Sequence, residues 1–158
     1  MEHKEISAKL SAEGKRFAVV AARFNDLFTK QLVAGALDAF DRHGAKDGDV
    51  TVVWVPGTFE EPVVIRKLAE SGKFDAIVAL GAVVQGATSH AGLIGGGVTR
   101  AMVQIAMKTG CPVIDGVVTA ESIEQAIERC GTKAGNRGYT AAVTAIEMAS
   151  LLPLLPAE

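Results

Sequence analysis

The most constraining feature of the sequence is the alternation of short apolar runs with amphipathic segments. Four runs of β-branched and small residues have the length of buried strands: Phe17–Ala22, Val50–Val55, Ala76–Leu80 and Val113–Val118. The segment from Leu27 to His43 carries apolar residues at the three-and-four spacing of a helix. Strands that alternate with helices require crossover connections, which make the strands parallel and place helices on both faces of the sheet.

Capping residues mark the ends of the other predicted helices. Pro62 fits the first turn of a helix, where its missing N–H costs nothing. Ser122 and Gln125 have the spacing of a capping box. Asn25 or Asp26 is expected to cap the helix that follows the first strand. The helices predicted in this way cover about 62–70, 98–108, 122–130 and 140–152.

Two glycine-rich segments interrupt this pattern. Gly95–Gly97 should leave the start of the helix near Val98 frayed or displaced, because each interior glycine costs about 1 kcal/mol relative to alanine. Gly131–Gly138 breaks the pattern between the last two helices, and the chain carries no hairpin signal.

The alternation of strands and helices therefore predicts a single α/β domain over residues 1–158, a three-layer α/β/α fold with a four-stranded parallel, flavodoxin-like sheet. The weakly apolar arm 1–14 should pack on the sheet edge of a neighbouring subunit.

Composition limits the classes of partner. The chain has 158 residues, 49% of them apolar, which is enough for one continuous core. Its 16 basic and 18 acidic residues form no basic stripe, so neither nucleic acid nor an anionic membrane is an expected partner. We expect a cytoplasmic protein, because there is no signal peptide pattern and no run long enough to span a bilayer. Cys111 and Cys130 lack metal-ligand spacing and are expected to be reduced, packed thiols.

The residues that follow the third predicted strand form a candidate site. Gly86, Ala87 and Thr88 can offer backbone N–H groups and a hydroxyl to an anion, and His90 is the nearest titratable group. Taken alone, this cluster also fits a mobile surface turn with an incidental histidine. Ligands in this fold class bind outside the carboxyl ends of the strands, an edge that would unite Phe24, residues 56–60 and residues 86–90.

Four segments of the chain resemble lumazine synthases, enzymes of riboflavin biosynthesis. They are Ala22–Asn25, Val55–Glu60, Gly81–His90 and Ile123–Gly138, and Ala145–Ala149 adds to them. The resemblance runs in register over nearly the whole chain. It implies condensation of 5-amino-6-(D-ribitylamino)uracil with 3,4-dihydroxy-2-butanone 4-phosphate to 6,7-dimethyl-8-ribityllumazine, without a metal or redox cofactor.

The same resemblance implies roles for individual residues. His90 would transfer protons, Arg129 would clamp the phosphate, and Phe24 would stack on the pyrimidine. The implied substrate-binding set is Phe24, Asn25, Thr58, Phe59, Glu60, Val83, Val84, Gln85 and Asp115, and the implied phosphate-binding set is Gly86, Ala87, Thr88, Arg129 and Arg137.

The resemblance also implies an oligomer. In the family, the arginine at position 129 and the loop after it come from the adjacent subunit of a pentamer. Some members assemble twelve pentamers into a shell, and the short turn 131–138 resembles theirs. Riboflavin synthase is a further candidate partner.

Some residues depart from the family pattern and support an alternative function. Gln85 replaces a usual cation, Asp115 a usual aromatic, Glu61 a usual apolar residue and Thr140 a common acid. Gln85, Asp115 and Thr140, with Gly95–Gly97, fit a shell-forming or flavin- or lumazine-binding relative with weak or lost synthase activity. A different flavodoxin-like phosphate binder is a third hypothesis.

Overall fold

A computed structural model describes residues 1–86, 90–132 and 135–157, without the side chains of residues 90, 91 and 93. The strands are β1 (Phe17–Ala22), β2 (Val50–Val55), β3 (Ala76–Val84), β4 (Val113–Ala120), β5 (Cys130–Thr132) and β6 (Gly135–Asn136). The helices are α1 (Asp26–Arg42), α2 (Glu61–Glu70), α3 (His90–Thr109), α4 (Ile123–Arg129) and α5 (Arg137–Leu151), with 3₁₀ turns at Thr58–Glu60 and Leu152–Leu154. None of the helices in these ranges is long and apolar enough to cross a membrane.

The main sheet has four parallel strands in the order β2-β1-β3-β4. All six residues of β1, one of the two inner strands, are buried, which explains its uninterrupted apolar sequence. Strand β2 lies at one edge and is only partly buried, and β4 forms the other edge. This arrangement confirms the predicted three-layer, flavodoxin-like fold.

Alternate residues of the strands point to opposite faces of the sheet, and on each face they pack against a layer of helices. On one face, Phe17 and Leu80 join α1 and α5, and the rings of Phe17 and Phe40 lie 4.6 Å apart between centroids. On the other face, Ile77 joins α2 and α3 through buried residues such as Ile65. Helices therefore cover both faces of the sheet, and its carboxyl edge is where three loops can meet.

The prediction for the start of α3 was wrong. The helix begins at His90 rather than near Val98, so Gly95–Gly97 lie inside it. Burial of Val98 and Met102, and partial burial of Ile94, offsets the helix cost of the glycines. Gly95 also allows a close approach, because a Cβ there would lie 2.9 Å from Thr119 Oγ1.

The predicted absence of a hairpin was also wrong. Strands β5 and β6 form a short antiparallel ladder, which pairs Cys130 with Asn136. Helix α5 then begins at Arg137 rather than Thr140, because Asn136 Oδ1 accepts hydrogen bonds from the N–H groups of Gly138 (2.8 Å) and Tyr139 (3.1 Å). The cap was missed because it lies inside a glycine-rich run.

Other boundary predictions held or needed smaller changes. Pro62 lies in the first turn of α2, as predicted. Ser122 Oγ accepts a hydrogen bond from Gln125 N at 3.2 Å, but the Gln125 side chain accepts one from Glu121 N at 2.9 Å rather than from Ser122 N. Strand β3 extends beyond Leu80 to Val84.

The amino-terminal arm joins the domain only at its end. Residues 1–10 run as an irregular segment with exposed apolar side chains such as Leu10. Ala12 is fully buried, and its N–H donates to the carbonyl oxygen of His43 at 2.8 Å. Packing of the arm on a neighbouring subunit stays a prediction.

Candidate functional site

A cavity of about 400 Å³ lies at the carboxyl edge of the sheet. The loops after β1, β2 and β3 and the first turns of α3 enclose it. Its described lining consists of Phe24, Asn25, Gly57, Thr58, Phe59, Glu60, Ala82, Val83, Val84, Gly86 and Ile94. Phe24, the turn 57–60 and Gly86 therefore meet, as the sequence predicted for the segments that contain them.

Two aromatic side chains stand at this cavity with most of their surface exposed. Phe24 and Phe59 are each 73% exposed, although each belongs to a type of residue that is usually buried. A backbone hydrogen bond holds Phe24 in place, because its N–H donates to the carbonyl oxygen of Pro56 at 3.0 Å. Exposed rings beside an apolar wall offer flat surfaces on which a planar ligand can stack.

Asn25 connects the first of these loops to the third strand. Its side-chain amide donates to the carbonyl oxygen of Ala82 at 2.8 Å, and its backbone has a left-handed φ of 60°. The predicted side-chain cap of α1 is not formed by Asn25, whose left-handed backbone differs from the β-region conformation that N-cap residues usually adopt. A non-glycine residue in this conformation costs about 1–3 kcal/mol and is typical of functional sites.

Thr58 and Glu60 bring polar groups to the same cavity. Thr58 is buried, whereas Glu60 is exposed. The turn is tight enough that a Cβ on Gly57 would lie 2.9 Å from Glu60 Oε2. A hydroxyl and a carboxylate on an otherwise apolar wall can hydrogen-bond the hydroxyl groups of a ligand.

The third loop begins as a continuation of β3. Val83 and Val84 line the cavity, and the N–H of Gln85 donates to the carbonyl oxygen of Ala120 at 2.8 Å. Gly86 lines the cavity as well, whereas Gln85 itself is exposed and is not part of the described lining. Ala87 and Thr88 lie outside the described residues. His90 is the first residue of α3, but its side chain lies outside the description.

Arg129 and Arg137 lie at the outer edge of β4 rather than in the cavity of their own chain. Even-numbered carbonyls of β4, such as that of Ala120, point toward β3, so the odd-numbered carbonyls point away from the sheet. Arg129 Nη1 donates to the outward carbonyl of Thr119 at 2.8 Å, and Arg137 Nη2 donates to that of Asp115 at 3.0 Å. Each guanidinium keeps further donors for a second acceptor.

The Asp115 carboxylate faces α3 and the edge of its own strand. It accepts hydrogen bonds from Thr99 Oγ1 and from the N–H of Val117, both at 3.0 Å. These hydrogen bonds offset the free-energy cost of removing a carboxylate from water in an apolar strand. Asp115 is not part of the described lining of its own chain's cavity. Among the described side chains, no three from His, Cys, Asp and Glu converge as metal ligands.

Two lining residues were not singled out from the sequence. Ala82 belongs to the part of β3 beyond its predicted end, and Ile94 to the part of α3 before its predicted start. The spacing of Ile94, Val98 and Met102 by four residues was the signal that could have found the helix.

The fold and the cavity define a flavodoxin-like α/β/α protein with a ligand-sized pocket at the carboxyl edge of its sheet. Within that class, the chain belongs to the 6,7-dimethyl-8-ribityllumazine synthase family, whose family model matches residues 14–153. The match confirms the family that the sequence segments predicted. It is a family of enzymes, and its reaction belongs to riboflavin biosynthesis.

Proposed function

We propose that the chain condenses 5-amino-6-(D-ribitylamino)uracil with 3,4-dihydroxy-2-butanone 4-phosphate to 6,7-dimethyl-8-ribityllumazine. The observation that carries the proposal is the cavity beside the exposed rings of Phe24 and Phe59, in a chain of this family. An apolar cavity with few polar groups suits a flat heterocycle that carries a polyhydroxy chain. Phe24 then stacks on the pyrimidine, while Thr58 and Glu60 hydrogen-bond the ribityl chain.

The proposed reaction needs several proton transfers. The amine of the pyrimidine attacks the ketone, and the resulting imine forms with loss of water. Phosphate then leaves by elimination, and ring closure releases a second water. We assign the proton transfers to His90, because an imidazole can take and give a proton near neutral pH.

The phosphate is assigned to groups from two chains. The backbone at Gly86, Ala87 and Thr88 would face it from the chain that forms the cavity. Arg129 and Arg137 would approach from the neighbouring subunit, and their position on the outer edge of β4 supports this assignment. Asp115 lies on the same edge and would close the pyrimidine end of the site.

An assembly of identical chains is part of the same proposal. Leu27 (73% exposed) and Ile127 (44% exposed) line one shallow depression, so apolar surface is available for a contact between subunits. We propose a pentamer, with a shell of twelve pentamers and contact with riboflavin synthase as extensions of it. A cytoplasmic location stays a prediction.

One observation favours the alternative, a relative that binds lumazine or flavin with weak turnover. Asp115 would close the pyrimidine end of the site, and its carboxylate, held by Thr99 Oγ1 and the N–H of Val117, offers the pyrimidine no aromatic face. Tight lumazine binding without product formation would favour this alternative over the synthase.

Formation of lumazine from the two substrates, followed by absorbance, tests the proposal. We expect product well above the uncatalysed condensation, with losses of about 100-fold for His90→Ala and Arg129→Ala. Arg66→Ala is the matched control, because Arg66 is an exposed arginine paired with Glu70 on α2. Wild-type protein without product above the uncatalysed rate would contradict the proposal.

A further inference from the structure

Glu61 is a buried carboxyl that the proposed reaction does not use. It is the first residue of α2, it is 0% exposed, and among the described residues neither of its carboxyl oxygens has a hydrogen-bond partner. Burial raises the pKa of Glu61 well above its usual 4.5, and the nearby charge of Asp115 raises it further. An isolated buried carboxylate is costly enough that such a group takes up a proton instead.

Gly81 brings Glu61 close to the cavity. A Cβ on Gly81 would lie 2.6 Å from Thr58 Oγ1 and 3.4 Å from Glu61 Oε1, so both side chains occupy the space that a larger residue would take. Thr58 lines the cavity and Glu61, one helical turn later in the chain, lies beneath it. The Glu61 carboxyl is thus part of the second layer of the cavity wall.

The described surroundings of Glu61 offer its carboxyl oxygens no hydrogen-bond donor. The nearby Asp115 carboxylate already accepts two hydrogen bonds, one from Thr99 Oγ1 on α3 and one from Val117 N. The parts of β1 and β3 around Gly81 are apolar or small, and Glu60 in the preceding turn is exposed. On α2 itself, Arg66 pairs with Glu70 and both are largely exposed. Burial without a hydrogen-bond partner therefore keeps the Glu61 carboxyl protonated.

We propose that Glu61 is a positioning residue for the cavity, whose protonated carboxyl packs beneath Thr58 and keeps the Thr58 hydroxyl in the cavity wall. The ligand it serves is that of the proposed function, on which this inference rests. When alkaline pH ionises Glu61, the carboxylate must gain water, and it disturbs the packing of Thr58 against Gly81. Ligand binding then weakens through the displaced Thr58 hydroxyl, an effect that Glu61→Gln removes and that a change of charge at another group would leave in place.

The linkage has a definite sign. Because the pKa of Glu61 is higher in the folded than in the unfolded chain, the folded protein holds the extra proton above pH 4.5. Stability therefore falls as pH rises from that value towards the raised pKa. A glutamine has the same shape as a protonated glutamate and does not ionise, so Glu61→Gln removes this dependence.

The experiment measures Tm and the Kd of 5-amino-6-(D-ribitylamino)uracil from about pH 5 to about pH 9 for wild type, Glu61→Gln and Glu70→Gln. Glu70 is the exposed glutamate of the same helix and provides the matched control. We expect the wild-type Tm to fall with pH and its Kd to rise by up to about tenfold per pH unit once Glu61 ionises. Glu61→Gln should flatten both profiles, and Glu70→Gln should keep the wild-type profiles.

Each other outcome overturns a definite part of the account. If Tm depends on pH in the same way for wild type and Glu61→Gln, the assignment of a protonated Glu61 is contradicted. A flattened Tm profile with an unchanged Kd profile contradicts the positioning role alone. Absence of aminouracil binding at every pH contradicts the proposed function together with the positioning role, so the two failures are distinguishable.

Discussion

The side-chain amide of Asn25 donates to the carbonyl oxygen of Ala82, at 2.8 Å and across 57 residues of sequence. This bond joins the loop after β1 to the end of β3, the two segments that carry Phe24 and Val83 to the cavity. The left-handed backbone at Asn25 turns the chain from Phe24 into α1. One residue thus fixes the direction of an exposed ring that has little packing of its own.

Substitution of Asn25 separates its backbone role from its side-chain role. Asn25→Gly accepts φ 60° freely but loses the bond to Ala82, whereas Asn25→Ala loses the bond and strains the backbone as well. We expect losses in unfolding free energy of about 1 kcal/mol for glycine and about 2–3 kcal/mol for alanine, measured by urea denaturation. Both should raise KM more than they lower kcat. A glycine variant with wild-type KM would show that the bond does not position the loop.

Adjacent glycines in α3 should respond oppositely to alanine. Gly96 faces open space, so Gly96→Ala should stabilise by about 0.5–1 kcal/mol through helix propensity. At Gly95 the new Cβ would lie 2.9 Å from Thr119 Oγ1, so Gly95→Ala should destabilise by about 1 kcal/mol or more. Thermal unfolding of the two variants measures the difference, and equal shifts would contradict the close approach of α3 to β4.

The strands were predictable because apolar runs of the right length leave few alternatives. The start of α3 and the end of β3 could not be predicted, because the residues that extend these elements gain stability only from contacts with elements distant in sequence. Ile94 helps to cover the sheet, and Gln85 bonds to Ala120 on β4. The hairpin of β5 and β6 depends on a cap at Asn136 whose amide also bonds to Gln31 in α1. No local pattern contains that contact.

The candidate site was also predictable only in part. Its loops could be placed, because the fold class puts ligands at the carboxyl edge and the family segments fall there. The contacts of Asp115 and Glu61 could not be predicted. Asp115 bonds to Thr99 and Glu61 lies beside Gly81, and neither contact produces a recognisable residue spacing in the sequence.

Phe24 should matter for ligand binding and little for folding. Phe24→Ala removes a ring that is 73% exposed, so we expect a change below about 0.5 kcal/mol in unfolding free energy. The loss of stacking should raise KM by about tenfold. Phe40→Ala is the opposite case, since that ring is 1% exposed and its loss should cost about 3–5 kcal/mol of stability. Steady-state kinetics and urea denaturation distinguish them, and an unchanged KM for Phe24→Ala would contradict stacking.

The two cysteines should resist alkylation at neutral pH. Burial raises the pKa of Cys130 to about 11, and burial together with the charge of Asp75 does the same for Cys111. Thiolate is the reactive form, so iodoacetamide labelling at about pH 8 should be slow for the folded protein and fast in denaturant. Because the pKa is raised in the folded chain, stability should also fall as pH rises from 9.0 towards about 11. Rapid labelling of the folded protein would contradict this burial.

Co-expression of His90→Ala with Arg129→Ala tests the central claim most directly, that one site is built from two chains. Each variant alone should form almost no lumazine. In mixed pentamers with equal amounts of the two variants, about half of the chains keep His90 and about half of their neighbours keep Arg129. About a quarter of the sites therefore contain both residues, and activity should return to about a quarter of wild type. Activity no higher than the sum of the two variants alone would contradict the shared site.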